Sequence, residues 1–292
     1  QTCALPIYAK YFLVDSTTVY LGSQNFDWRS LTEIQELGVV LEGGDAAAAY
    51  QAVFDLDWQI AEMLPPGKSA PKAARGQVYD LVQRFSARLP GFVDDLPLVT
   101  NTGGHGRMSP TISPEWARPL PYPEEERLVR ALDAARDSIA VQVLAYSTVG
   151  RDSTRYVVLD DALRRAAGRG VKVRLIVSEW SKSKPKVDML KSLARVPNIQ
   201  VAFMDIPQAS TGFVPFSRTV HAKYLTVDGR VFWIGTSNWE KDYFHDSRNV
   251  GLIGEEPTLA RRLAAFFNDN WNSKYAERVD PDKIYTPIRV AK

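Results

Sequence analysis

The feature that most constrains this chain is an internal repeat at one fixed offset. Residues 8–58 lie over residues 221–271 without a gap, a shift of 213 (221 − 8). The first eighteen aligned positions hold seven identities. Ala9 pairs with Ala222, Lys10 with Lys223, Tyr11 with Tyr224, Val14 with Val227, Asp15 with Asp228, Gly22 with Gly235 and Asn25 with Asn238. Farther on, Gly38 falls on Gly251, Phe54 on Phe267 and Trp58 on Trp271. Chance rarely puts so many matches on one diagonal, so the chain reads as two copies of one unit.

The second copy has a long upstream part. Residues 124–137 carry Leu128, Leu132 and Ala135 at helical spacing. Residues 139–146 read as a buried strand, 160–170 as a helix ending at Gly168 and Gly170, and 171–178 as a second strand. A helix near 187–194 and a strand over 199–206 follow. Residues 221–235 read as two strands joined at Asp228-Gly229, a hairpin signal. A closing helix over 256–271 places Leu259, Leu263, Phe267 and Trp271 on one face. Strands alternating with helices predict an α/β fold with a mixed, mostly parallel sheet flanked by helices in each repeat.

The first copy begins at the motif itself. A counterpart of residues 105–220, 116 residues (220 − 105 + 1), is expected upstream, so the first repeat is incomplete and the chain reads as a fragment. Residues 8–100 are assigned to the end of the first repeat plus a linker, and 101–292 to the second repeat. Residues 64–76 and 109–123, rich in Pro and Ala, read as linker rather than helix or strand interiors.

Chemistry concentrates in the repeated motif. The second copy reads His221-Ala-Lys223, four residues, Asp228, six residues, Gly235-Thr-Ser-Asn238. His and Lys two apart on a strand share a face. The hairpin returns Asn238 beside them. An ammonium and an amide suit phosphate oxygens. An imidazole serves as nucleophile or general acid near neutral pH. The aspartate reads as an orienting or charge-balancing group.

This pattern resembles the phospholipase D superfamily motif, His-x-Lys-x4-Asp-x6-Gly-Ser/Thr-x-Asn, which occurs twice per active site. The likeness covers residues 8–58 and about 105–275. The phrases "NFDWRSLTEIQELG" and "GTSNWEKDYF" also resemble the branch with lysosomal 5′ exonuclease-like members. The resemblance implies that the first-motif histidine attacks phosphorus to form a phosphohistidine. The second-motif histidine, His221, then serves as general acid. Lys10, Lys223, Asn25 and Asn238 hold phosphate, and Asp15 and Asp228 support them. The resemblance also implies a Glu 28 residues after the first histidine to orient it, a position that Glu36 fills, while Asn249 is the counterpart. No cofactor and no metal are implied.

One position departs from the pattern: Tyr8 stands where the nucleophile belongs. A phenol is a poor replacement at the same reach, so this chain as written is expected to be inactive. Residues 1–7, "QTCALPI", resemble the translated end of a common sequencing-library adapter, CAG ACG TGT GCT CTT CCG ATC followed by T. On that reading the first base of codon 8 is also foreign. TAC or TAT then replaces a codon for His, Asn, Asp or Tyr, of which the motif asks for His, and Cys3 is not native.

Composition adds limits. A net charge of +2 over 292 residues gives no basic track for extended nucleic-acid binding. No apolar run spans a bilayer, and one cysteine makes no internal disulfide. The expected partner is a phosphodiester, a phospholipid head group or the end of a single-stranded nucleic acid, with peripheral membrane contact and oligomeric state left open. The competing reading is a non-catalytic phosphate- or membrane-binding family member, which Tyr8 favours. Trp28, Trp58 and Trp271 read as structural, with Phe54/Trp58 and Phe267/Trp271 as core stripes. Trp239 stands equally for core or pocket wall. "SKSKPK" (181–186) reads as a solvated basic loop, and His105 and His245 as incidental.

Overall fold

The computed structural model describes residues 5–63, 74–92 and 94–291. In chain order the strands are β1 (Tyr11–Val14), β2 (Thr18–Gly22), β3 (Gly38–Glu42), β4 (Leu96–Val99), β5 (His105–Ser113) and β6 (Ser138–Val143). Then come β7 (Lys172–Ser178), β8 (Ile199–Met204), β9 (Tyr224–Val227), β10 (Val231–Gly235), β11 (Asn249–Glu255) and β12 (Ala276–Arg278). The α-helices are α1 (Trp28–Thr32), α2 (Gly44–Met63), α3 (Ala74–Ser86), α4 (Glu124–Ala134), α5 (Val158–Gly168), α6 (Lys186–Ala194), α7 (Lys241–His245) and α8 (Pro257–Asn272).

The repeat survives into the fold with its offset intact. Adding 213 to the start of β1, β2, β3, α1 and α2 gives 224, 231, 251, 241 and 257. These are the first residues of β9, β10 and α7, the β11 residue facing Gly235, and the first residue of α8. Gly22 faces Gly38 in register, as Gly235 faces Gly251. The ring of Tyr20 lies over the first pair and that of Trp233 over the second, so close that a Cβ at Gly38 would sit 2.4 Å from Tyr20 Oη and one at Gly235 2.4 Å from Trp233. The hairpin tips also match. Asp228 and Gly229 have φ of 52° and 59°, and Asp15 and Ser16 have 51° and 54°, so both tips turn through two successive left-handed residues, closed by Arg230 N–H to the Val227 carbonyl (2.9 Å) and Thr17 N–H to the Val14 carbonyl (3.2 Å).

β1, β2 and β3 form a three-stranded antiparallel sheet. The other nine strands form one sheet in the order β12-β8-β7-β6-β9-β10-β11-β5-β4. The sheet is mixed, as expected, but not mostly parallel. Only β6–β7 and β7–β8 run parallel, where α5 and α6 provide crossovers. The β9–β10 hairpin is antiparallel because its short connection permits nothing else, and β11 runs antiparallel to both β10 and β5. α8 starts at a built cap: Glu256 accepts from the N–H groups of Thr258 (2.8 Å) and Leu259 (2.6 Å), and Pro257 occupies the first turn.

Three sequence expectations need correction here. Residues 109–113 are not linker but the buried end of β5, against β11. Pro110 is tolerated there because its nitrogen faces away from β11, and β4 pairs only as far as Met108. Residues 64–73 of the other expected linker lie outside the described residues. The aromatic stripe holds in one copy only. Phe267 and Trp271 are buried, with Arg174 of β7 over both rings. Phe54 and Trp58 are 42% and 58% exposed, since no strand among the described residues lies over α2 where β7 lies over α8. Trp28 is exposed as well, while Trp239 is buried in the core cluster with Tyr146 and Trp233. The basic loop is only partly solvated: Lys182 is buried against Glu277 (2.8 Å), and Lys186 pairs with Glu240 (2.5 Å).

Candidate active site

The two motif strands enter one cleft, each clipped to the other copy. The N–H groups of His221 and Ala222 both donate to the Gln35 carbonyl, at 2.8 and 3.0 Å. Their mates Tyr8 and Ala9 both donate to the Arg248 carbonyl, at 2.9 and 3.0 Å. Gln35 and Arg248 are themselves related by the 213 offset. The isolated bridges Gln35↔Val220 and Ile7↔Arg248 repeat the relation. Side chains follow it too: Gln35 Nε2 donates to Asn270 Oδ1 (3.0 Å), while Arg248 Nε grips both Asp57 oxygens (2.9 and 3.0 Å).

This exchange moves Glu36 away from its expected partner. Glu36 does not orient position 8. Its carboxylate lies 2.8 and 2.9 Å from Nδ1 of His221, in the opposite copy. The reason is the crossed clip, which lays residues 35–36 beside 220–221 rather than beside 8. A carboxylate at Nδ1 fixes the proton there and leaves Nε2 free for a second one. Ser23 Oγ donates to Glu36 (2.5 Å), as Thr236 Oγ1 donates to Asn249 (2.9 Å). On the side of position 8, therefore, Asn249 stands where a carboxylate serves His221.

Both lysines turn back onto their strands. Lys10 Nζ donates to the Tyr8 carbonyl (2.6 Å) and Lys223 Nζ to the His221 carbonyl (2.5 Å). Burial lowers the Lys10 pKa to about 8, against the pull of Glu36. Burial also lowers Lys223 far below its ordinary value, and Lys10 adds to that. His221 is lowered to about 4, first by burial and then by Lys223, although Glu36 opposes both. Three nitrogen bases with depressed affinity for protons thus surround one carboxylate. A buried site of this kind is short of negative charge.

The remaining expected residues divide. Asn238 is buried, with its Oδ1 accepting from the Ala145 N–H (3.2 Å) and its side chain reaching Tyr243. Asn25 is half-buried with no hydrogen bond among the described residues. Tyr8 stacks on Tyr243 at 5.3 Å, and its phenol meets the Arg151 guanidinium. Asp228 is not in the cleft. It lies five residues beyond Lys223 on an extended strand, roughly 16 Å away. Its carboxylate accepts from the N–H groups of Arg136, Asp137 and Ser138 at 2.8–2.9 Å, which anchors the start of β6. Asp15 is exposed at its own hairpin tip. Ser23 and Thr236 fill the Ser/Thr position of the motif, but the sequence gives them no role; sequence reasoning missed Gln35, Arg248, Tyr243 and Arg151. Gln35 and Arg248 sit on the same 213 diagonal but are not an identical pair, so counting identities passes over them.

The chain matches the family described as "Cardiolipin synthase, PLD-like domain" over residues 4–58 and 128–271. It belongs to this phospholipase D-like phosphodiesterase family. The Caenorhabditis elegans protein named "Probable phospholipase D" is 30% identical over 290 residues, covering 93% of this chain and 50% of that protein. The Mus musculus 5′-3′ exonuclease PLD4 is 31% identical over 296 residues, covering 94% of this chain and 56% of its own length. The chain therefore spans about half the length of the curated relatives it matches. The phosphatidylserine synthase structure from Haemophilus influenzae has the same fold, with a TM-score of 0.62 at 12% identity, covering 93% of this chain and 62% of that one.

Proposed function

We propose that this site cleaves phosphodiesters through a phosphohistidine when position 8 is histidine, and that Tyr8 silences the chain as written. The observation that carries the reading is the crossed geometry. Position 8 is the mate of His221 in backbone bonding, and both approach the cleft that holds Lys10 and Lys223. In the first step Nε2 at position 8 attacks phosphorus. A P–N bond forms, the P–O bond to the leaving group breaks, and His221 gives that oxygen its Nε2 proton. Water then attacks phosphorus, gives a proton to His221, and the P–N bond breaks. A bound phosphate supplies the negative charge the site lacks, which restores the charge of both lysines and raises the His221 pKa toward its working range. Asn25 and Asn238 are proposed to complete the phosphate clamp. The residues present need neither metal nor cofactor for these steps.

The relatives' names point to two substrate classes, phospholipids and nucleic-acid ends. The balanced charge and the buried cleft favour a terminal phosphodiester of a single strand over an extended track. The native residue at position 8 is proposed to be histidine, with residues 1–7 and Cys3 foreign. Reading the source locus tests this, and an in-frame "QTCALPI" there would sink it. For the activity, Tyr8→His is assayed beside the unaltered chain, with a short 5′-labelled oligonucleotide and with phosphatidylcholine vesicles. Turnover by Tyr8→His that disappears on adding His221→Asn is expected. Phosphate binding without turnover of either substrate would instead support the non-catalytic reading.

A further inference from the structure

The loop after β6 carries a cation to the rim of the cleft that the proposed chemistry leaves without a task. Residues 145–147 run beside the end of the second motif. Trp239 N–H donates to the Ala145 carbonyl (3.1 Å), and Ser147 N–H donates to the Trp239 carbonyl (3.0 Å). The chain then folds back on itself, with Gly150 N–H on the Thr154 carbonyl (2.9 Å) and Tyr156 N–H on the Thr148 carbonyl (2.8 Å). Helix α7 holds the tip. Lys241 Nζ donates to Asp152 Oδ2 (2.5 Å) and Thr154 Oγ1 (2.6 Å), and the Arg151 N–H reaches Asp242 Oδ2 (3.3 Å). Gly150 fits only because it lacks a Cβ, which would lie 2.7 Å from Asp152 Oδ1 and 2.8 Å from Lys241 Cδ. The place of Arg151 is thus set by contacts that do not involve position 8.

The side chain itself is unsaturated. The Arg151 guanidinium meets the Tyr8 phenol, a neutral oxygen, and is 67% exposed. Asp242 lies 3.6 Å from its Nε, and no carboxylate among the described residues comes within hydrogen-bond distance. The lysines nearby are already paired, Lys241 with Asp152 and Lys186 with Glu240. A planar fork of five N–H donors is left with little to hold. Tyr8 also measures how far this fork stands from the lysines. Lys10 Nζ is bonded to the Tyr8 carbonyl, at the backbone end of that residue, and Arg151 meets the hydroxyl at the other end. The two cations are therefore about one tyrosine side chain apart, with Lys10 and Lys223 turned onto their strands in the cleft and Arg151 at its rim.

We propose that Arg151 holds the phosphate next to the one attacked, so that the site favours a single-stranded nucleic-acid end with two successive phosphodiesters over a substrate with one phosphate. The Tyr8 hydroxyl stands in for an oxygen of that substrate. An imidazole at position 8 ends nearer the backbone than a phenol, so histidine there leaves the guanidinium facing open space beyond Nε2. The two lysines take the attacked phosphate, and the fork at the rim accepts two oxygens of its neighbour. The single phosphate of phosphatidylcholine leaves the fork empty. This inference rests on the reading of the cleft as a phosphodiester site and adds the residue that selects among its substrates.

The probes are a thymidine dinucleotide, with one phosphodiester, and the trinucleotide, with two. Binding is measured calorimetrically on the whole chain carrying Tyr8→His and His221→Asn, so that ligand is held without turnover. The second phosphodiester should tighten binding by about tenfold when Arg151 is present, and by about twofold or less in Arg151→Gln. The slope of log affinity against log salt should fall by about 0.7 in Arg151→Gln for the trinucleotide and stay unchanged for the dinucleotide. Arg151→Lys keeps the charge and should keep that slope while losing part of the gain. Circular dichroism should show all three proteins equally folded. Equal weakening of both ligands by Arg151→Gln is what a structural role would give, and it overturns the proposal. So does an equal gain with and without Arg151, or a trinucleotide that does not bind. Turnover by Tyr8→His is scored separately on the same two ligands. Its absence with the binding pattern intact sinks the phosphohistidine reading and leaves the subsite standing. Turnover that Arg151→Gln lowers equally in kcat/KM for both ligands does the reverse.

Discussion

Glu36 and His221 stand 2.8 Å apart across the two copies, so neither copy holds a complete acid–base unit alone. Each motif strand is held by the segment that follows the other motif, and the cleft exists only because both crossings are made. The carboxylate is the one group near His221 that favours its protonated form against burial and two lysines. Glu36→Gln should therefore lower the His221 pKa further below about 4 in a nuclear magnetic resonance titration of the ring. An unchanged or raised value would mean that the contact does not couple.

The depressed His221 pKa also predicts a pH dependence of stability. Unfolded, the imidazole binds a proton near 6.5; folded, it does so only near 4. As pH falls the unfolded state takes up the proton first, so this group's penalty is absent above about 6.5, grows between 6.5 and 4, and is constant below. Its full size is on the order of 3 kcal/mol. His221→Asn should flatten that part of the profile of melting temperature against pH. Equal slopes for both proteins would remove His221 as the cause.

Lys10 predicts an effect on the alkaline side. It holds its proton only up to about pH 8 in the empty cleft. Inorganic phosphate binding measured calorimetrically should weaken as pH rises through 8, with proton uptake on binding above it. Lys10→Met should remove the step near pH 8 together with most of the affinity, leaving only the dependence that Lys223 carries. Affinity that stays level from pH 7 to 9.5 would contradict the assigned charge.

Much of this was legible in sequence, and the limits are physical. The 213 diagonal gave the repeat, the motif, and element starts that hold to the residue. It could not show that the copies exchange segments, because an offset relates positions and says nothing about which copy contacts which. The Glu position that the resemblance implies is counted along one copy, and the crossed clip at Gln35 carries Glu36 to the other. The motif makes Asp228 an orienting or charge-balancing support for the phosphate-binding groups, yet at its hairpin tip it serves the fold. Burial pushes its carboxyl up, but three backbone N–H bonds outweigh that and hold it below the usual range. The Phe54/Trp58 stripe failed for a related reason: periodicity marks a face, and only a covering element makes that face a core.

The two aspartates of the motif should thus separate cleanly. Asp228→Ala removes three charge-assisted bonds that tie the hairpin to β6 and should cost about 2 kcal/mol in chemical denaturation. Asp15→Ala sits at an exposed tip and should stay within about 0.5 kcal/mol. Neither should change phosphate affinity. A loss of affinity in Asp228→Ala at full folding would return that residue to the cleft.

The last prediction uses the pair of contacts that lock the copies together. Arg248 is fully buried, grips Asp57, and also donates to the carbonyls of Ser113 (3.0 Å) and Ala117 (2.5 Å). Burial raises the Asp57 pKa, and Arg248 opposes that. Its mate is neutral, Gln35 with Asn270, at the same place in the other crossing. Arg248→Gln strands a buried carboxylate and Asp57→Asn a buried guanidinium, so each alone should cost about 3–5 kcal/mol. The double variant recreates the residue types of the neutral mate and should cost less than the sum of the singles by about 2 kcal/mol or more. The cycle is read by urea denaturation of the four proteins. Additive singles would show that the two crossings do not share one energetic design.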